Sequence, residues 1–85
     1  MNAPITFNPR WREELVATSA EGTLIFEITM GTLHVYFPDE VCWRAAAPEW
    51  AREQWARYRE ACEHWCGNNR IPFSLVDNAL MYGER

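Results

Sequence analysis

The segment Cys62-Glu63-His64-Trp65-Cys66 brings two thiols and an imidazole close together along the chain. These groups are ligands of structural zinc sites, which usually place their cysteines at C-x₂₋₄-C spacing across a turn. The surrounding residues have helical periodicity. At about 100° per residue, Cys62 and Cys66 share one side of such a helix and His64 lies on the other. The only further thiol is Cys42. We therefore predict no metal site and reduced cysteines that serve packing.

Glu27 and His34 are a second candidate pair, because an imidazole beside a carboxylate is half of an acid–base device. On a strand surface such a pair is usually a weak ion pair, and the sequence places no nucleophile beside it. The chain also lacks the phosphate-loop, dinucleotide, zinc-protease and serine-hydrolase motifs. We expect no catalytic activity and no cofactor.

All eight basic residues are arginine, which excludes lysine chemistry such as Schiff-base formation. The chain has 85 residues, a net charge of −4 and 48% hydrophobic residues, which indicates one globular domain over residues 1–85. It lacks the basic footprint that nucleic-acid binding needs. It also lacks the run of about 20 apolar residues that spans a membrane. We expect neither nucleic acid nor membrane as a direct partner.

The start of the chain, Met1–Thr6, has neither a basic region nor an apolar stretch of the kind a signal peptide needs. This predicts a cytoplasmic protein. The small size, together with a composition rich in Arg, Ala and Trp and free of Lys, favours a bacterial or phage origin.

The clearest predicted element is a β-hairpin over about residues 23–37, with Met30-Gly31 as a two-residue turn. Counting outward from this turn pairs Thr29 with Thr32 and Glu27 with His34, and cross-strand partners share a face. One face is apolar: Leu24, Phe26, Ile28, Leu33, Val35 and Phe37. The other is mixed: Ile25, Glu27, Thr29, Thr32, His34 and Tyr36.

Residues 48–66 are predicted to form one long amphipathic helix. Pro48 suits its first position, Glu49 its first turn, and Gly67 marks its end. A stripe of mostly apolar and aromatic residues would be buried: Trp50, Ala51, Gln54, Trp55, Tyr58, Ala61, Cys62, Trp65 and Cys66. At about 28 Å, the helix would cross the whole domain and cover one face of a small sheet.

Two other segments allow more than one prediction. Leu15–Thr18 is predicted as a strand, with a short helix capped by Asn8-Pro9 as the alternative within residues 8–18. Val41–Arg44 is predicted as a short strand, with a helical turn capped by Asp39 as the alternative.

The end of the chain carries a further predicted strand, in which Ile71, Phe73 and Leu75 alternate with polar or small residues. Pro72 cannot donate a hydrogen bond to a neighbouring strand, which places this segment at a sheet edge.

These elements predict an α+β domain with a small antiparallel sheet of three to five strands and one helix across one face. The mixed face stays uncovered unless residues 4–14 fold over it. Such a face is either hydrated or an interface, and a short chain gains stability from association. We expect a non-enzymatic accessory protein that binds a protein partner, or a second copy, through six residues of this face: Ile25, Glu27, Thr29, Thr32, His34 and Tyr36.

Two alternative functions belong to other classes. An acidic inhibitor, of the immunity or anti-defence type, would block a basic site on a nuclease or nucleic-acid-binding complex, and its binding would weaken with salt. A small enzyme or metal-binding protein would carry zinc, or would lose activity when His34 or Cys66 is replaced. The sequence pattern assigns no role to Trp11 or Trp43.

Overall fold

The computed structural model describes residues 4–84. Met1–Ala3, which contribute to the expectation about a signal peptide, and Arg85 lie outside this range. The described strands are β1 (Thr6–Arg10), β2 (Glu14–Ser19), β3 (Gly22–Thr29), β4 (His34–Pro38), β5 (Phe73–Val76) and β6 (Met81–Glu84). The helices are α1 (Glu40–Ala46), a 3₁₀ helix (Glu49–Gln54) and α2 (Trp55–Asn69). None of the described helices has the length and apolar character needed to cross a membrane.

One sheet contains all of these strands, in the order β1-β2-β3-β4-β5. β3 is long enough to pair with β6 along its first half and with β4 along its second half. Every pairing is antiparallel except β4–β5. The chain passes through all three helices between these two strands, and such a crossover returns it in the parallel direction. The α+β class is confirmed, whereas the prediction of three to five antiparallel strands is wrong in number and in the direction of β5.

The central hairpin is present, but its turn is longer than predicted. Thr29 pairs with His34 and Glu27 with Tyr36, so residues 30–33 form the connection. The Thr29 hydroxyl donates to the carbonyl of Thr32 at 2.7 Å and closes this turn. The predicted pairing is therefore wrong by two positions, although both faces keep their strand residues because side chains alternate with a period of two. Leu33, predicted on the apolar face, is an exposed residue of the turn.

The predicted helix over residues 48–66 consists of the 3₁₀ helix followed by α2, which continues to Asn69. Gly67 lies inside α2, and Arg70, in a left-handed conformation, provides the cap. Most of the predicted buried stripe packs on the sheet, with Ala51, Tyr58, Cys62 and Cys66 in the core and Trp55, Ala61 and Trp65 packed against it. The prediction is wrong for Trp50, which is exposed on the 3₁₀ helix. Packing of a long amphipathic helical segment across one face is thus confirmed.

The segment Val41–Arg44 is helical, so its prediction as a strand is wrong and the alternative is correct. The Asp39 carboxylate accepts a hydrogen bond from the backbone N–H of Cys42 at 2.9 Å and caps the start of α1.

Trp43 lies at the centre of the core and is completely buried. Its ring stacks near Phe26 and Phe37, with centroid separations of 5.9 and 5.7 Å, and is tilted against Tyr58 at 5.6 Å. The indole N–H donates to the carbonyl of Ala51 at 3.0 Å. Trp43 therefore joins α1, the 3₁₀ helix, α2 and the sheet.

Residues 4–14 do not fold over the sheet. Residues 6–10 form β1 at one edge, and the predicted strand at Leu15–Thr18 is confirmed as part of β2. β5 lies at the opposite end of the strand order, which confirms the edge position predicted from Pro72. The sequence did not predict β1 or β6.

Candidate functional site

One side of the sheet carries the buried core, and all buried helix residues pack there. The opposite side, which we call the open face, is formed by the alternate strand residues. Its main members are Arg10, Glu14, Val16, Ile25, Glu27, Thr29, His34, Tyr36, Ser74, Val76, Tyr82 and Glu84. Most of them are exposed or half-buried, so this side of the domain is available to a second molecule.

Four of the six residues predicted for partner binding occupy this face as half-buried side chains: Glu27, Thr29, His34 and Tyr36. Thr32 lies in the turn between β3 and β4. Ile25 belongs to the open face but is fully buried, because Val16 and Tyr82 flank it on the adjacent strands. It supports the surface and offers no area to a partner.

An ordered aromatic pair lies on β4. The rings of His34 and Tyr36 stack with centroids 4.4 Å apart and an angle of 8° between their planes. A hydrogen bond of 2.8 Å joins His34 Nε2 to the Ser74 hydroxyl on β5. The pair is therefore held in place from the neighbouring strand.

Glu27 lies directly across the strand pair from Tyr36, and not from His34 as predicted. Its Oε1 accepts a hydrogen bond from the backbone N–H of Leu80 at 3.2 Å. Within residues 4–84 its carboxylate takes part in no ion pair. Glu27 thus retains acceptor capacity at the surface.

A second polar cluster joins β1, β2 and β6 on this face, and its Glu14 lies directly across the β2–β3 pair from Glu27. Arg10 donates to both oxygens of Glu84, at 2.9 and 2.6 Å, and through Nε to Glu14 at 2.9 Å. Glu14 also accepts a hydrogen bond from the Tyr82 hydroxyl. The pKa of Glu14 is lowered mainly by the hydrogen bond from the Tyr82 hydroxyl and further by the bond from Arg10. Arg10 also lowers the pKa of Glu84. Both carboxylates therefore stay charged at neutral pH.

The charge of the open face is negative. Its described strand residues include the carboxylates of Glu14, Glu27 and Glu84 and the single guanidinium of Arg10. Arg10 is shared by Glu14 and Glu84, so its positive charge balances only one of the three carboxylates. One negative charge remains on this cluster and one on Glu27.

The cysteine–histidine segment does not form a site. Cys62 and Cys66 are buried beneath the sheet, whereas His64 is exposed on the other side of α2. Cys42 lies on α1, where its thiol points to the carbonyl of Ala79 at 3.6 Å. Among the described residues, no three His, Cys, Asp or Glu side chains come together as a metal ion would require.

We expect all three thiols to react slowly. The hydrogen bond from Cys62 lowers the pKa of Cys66, but burial of Cys66 keeps reagents from its sulfur. Hydrogen bonding to Cys66 and burial raise the pKa of Cys62, while burial and the nearby Asp39 carboxylate raise the pKa of Cys42. Since the thiolate is the reactive form, we expect a thiol-reactive disulfide reagent to modify Cys42 slowly in the native protein. Cys62 and Cys66 should react only on unfolding. Fast reaction of two thiols in the folded protein would contradict this expectation. Reaction of the folded Cys42→Ser variant with the reagent would also contradict it.

Sequence reasoning missed Arg10, Glu14, Val16, Tyr82 and Glu84 as members of the face. Arg10 lies on β1, which the sequence did not predict, and Glu14 and Val16 reach the face through the pairing of β2 with β3. Tyr82 and Glu84 lie on β6, which pairs with a distant part of the chain. The sequence pattern also assigns no role to Trp11. It is 82% exposed in the turn between β1 and β2, beside Arg12 and Glu13, which both have positive φ.

These features define a class: an α+β domain whose mixed sheet carries helices on one side and an acidic, aromatic face on the other. No family model, curated protein or solved structure matches the chain.

Proposed function

We propose that this chain is a small accessory protein without catalytic activity that binds another protein through the open face. The observation that carries the proposal is the uncovered side of the sheet, where aromatic and aliphatic side chains remain accessible. Tyr82 is 36% exposed and the adjacent Leu80 is 48% exposed, while Tyr36 and Val76 are half-buried.

The composition of this face supports binding over simple hydration. A sheet face that only meets water usually presents polar side chains. Tyrosines combine a large apolar area with a polar end, and they are enriched at protein interfaces. Stacking on His34, which is hydrogen-bonded to Ser74, also restricts the Tyr36 side chain, and this reduces the entropy lost when a partner binds.

Affinity capture with matched variants tests the proposal. The full chain is immobilised and exposed to lysate of its source organism, in parallel with Tyr36→Asp and Ala56→Asp. Ala56 is exposed on the polar side of α2, so its variant adds the same charge away from the open face. We expect a protein that wild type and Ala56→Asp retain and that Tyr36→Asp loses.

Two controls make the result decisive. Circular dichroism should show that both variants remain folded. Light scattering on the pure chain separates a second copy from a different partner, because only self-association raises the mass. Binding through this face would be refuted if wild type and both variants retain the same proteins and the pure chain has the mass of a monomer.

A further inference from the structure

The negative charge of the open face indicates which kind of partner can bind there. We propose, on the basis of the proposed function, that the open face binds a basic surface of another protein and not a second copy of this chain. In this arrangement an arginine side chain of the partner lies between Glu27 and Tyr36.

Charge complementarity favours a basic partner over a second copy of this chain. A symmetric dimer through the open face would bring two copies of the Glu14, Glu27 and Glu84 carboxylates together. Among the strand residues that the structure describes on this face, each copy supplies one guanidinium, that of Arg10, which is already bound to Glu14 and Glu84. Both Glu27 carboxylates would then lose water without a cation, and an unpaired buried charge is strongly unfavourable. A basic partner removes this cost by supplying the missing cation.

The geometry around Glu27 suits a guanidinium group. Glu27 and Tyr36 are cross-strand partners, so their side chains emerge side by side on the same face. One oxygen of Glu27 is oriented by the Leu80 N–H, which leaves the other to accept from the partner. His34 supports the Tyr36 ring at 4.4 Å, and Ser74 holds His34.

Arginine fits this arrangement better than lysine. Its planar guanidinium can stack on an aromatic ring and at the same time donate to a carboxylate, whereas an ammonium group acts as a point charge. The partner surface should therefore contain arginine, and binding should weaken as salt screens the charges.

A titration of the full ¹⁵N-labelled chain followed by NMR tests the proposal. The probes are three blocked peptides of equal length that alternate alanine with arginine, lysine or glutamate. We expect the arginine peptide to shift the amide signals of Glu27, Tyr36 and Leu80 most strongly, and the lysine peptide less. The glutamate peptide should leave them unchanged. Raising the NaCl concentration from about 50 to about 500 mM should reduce the shifts.

Matched charge-neutral variants locate the effect. Glu27→Gln should weaken binding of the arginine peptide by about tenfold, because a charge-assisted hydrogen bond is lost. Glu60→Gln, which removes an exposed carboxylate from α2, should leave the affinity unchanged. Three results would overturn the inference. They are equal weakening by both variants, shifts with the glutamate peptide as large as those with the arginine peptide, and a dimer that resists salt and that Tyr36→Asp abolishes.

The outcomes also separate this inference from the proposed function. If capture depends on Tyr36 but Glu27→Gln does not change the shifts caused by the arginine peptide, the open face binds a partner and the proposed arginine site is wrong. If capture does not depend on Tyr36 and no peptide shifts the face, the proposed function fails together with the inference.

Discussion

Trp43→Ala is expected to lower the free energy of unfolding by about 3–5 kcal/mol, the range for large-to-small substitutions of buried aromatic residues. Trp43 is completely buried and contacts the rings of Phe26, Phe37 and Tyr58. Its removal leaves a cavity where the sheet and the helices meet. It also removes the buried hydrogen bond from the indole N–H to the carbonyl of Ala51, which adds to the cost.

Urea unfolding followed by circular dichroism measures this effect, and two further variants apportion it. Trp43→Phe keeps an aromatic ring in place but loses the indole N–H, so a smaller loss of about 1–3 kcal/mol is expected. Trp11→Ala removes the same type of side chain from an 82% exposed position and should change stability by no more than about 0.5 kcal/mol. Equal losses for Trp43→Ala and Trp11→Ala would contradict the central position of Trp43.

Gly22→Ala is expected to cost about 1–3 kcal/mol, the range for overpacking and backbone strain. Gly22 begins β3 directly beneath the 3₁₀ helix. A Cβ atom there would lie 2.6 Å from Cζ2 of Trp50, and the φ angle of +157° is one that residues with a side chain rarely adopt. Either the Trp50 ring must move or β3 must separate from the 3₁₀ helix.

The same urea assay checks this prediction with a matched glycine. Gly31→Ala places a Cβ where no atom lies within 4 Å, so it should leave stability nearly unchanged. In a double-mutant cycle, Trp50→Ala should reduce the cost of Gly22→Ala, because the steric part of that cost disappears. A cost that Trp50→Ala does not change would assign the whole effect to the backbone conformation.

The candidate site was partly predictable because face membership in a strand depends only on a period of two. Glu27, Thr29, His34 and Tyr36 lie on the predicted face even though the hairpin pairing differs by two positions. The sequence could not show that Ile25 is covered. Its burial depends on Tyr82 of β6, which is 57 positions away in the chain, and no local pattern predicts a pairing of that range.

The helical stripe was predictable for a similar reason. The spacing of Tyr58, Cys62 and Cys66 places these residues on one side of any helix, and the sheet covers that side. The boundaries of the helices do not follow from the same spacing. The change from the 3₁₀ helix to α2 and the continuation of α2 through Gly67 are not visible in the apolar periodicity.

The sequence by itself determined the local features of this protein: the hairpin, the buried side of the helical segment, the edge position of β5 and the division of the sheet into two faces. All of these follow from periodicity and from the chemistry of single residues such as Pro72. Only the tertiary structure decided the parallel β4–β5 pairing, the position of β6, the central role of Trp43 and the grouping of charges on the open face. These features are contacts between distant segments, and many different sets of such contacts are compatible with the same local patterns.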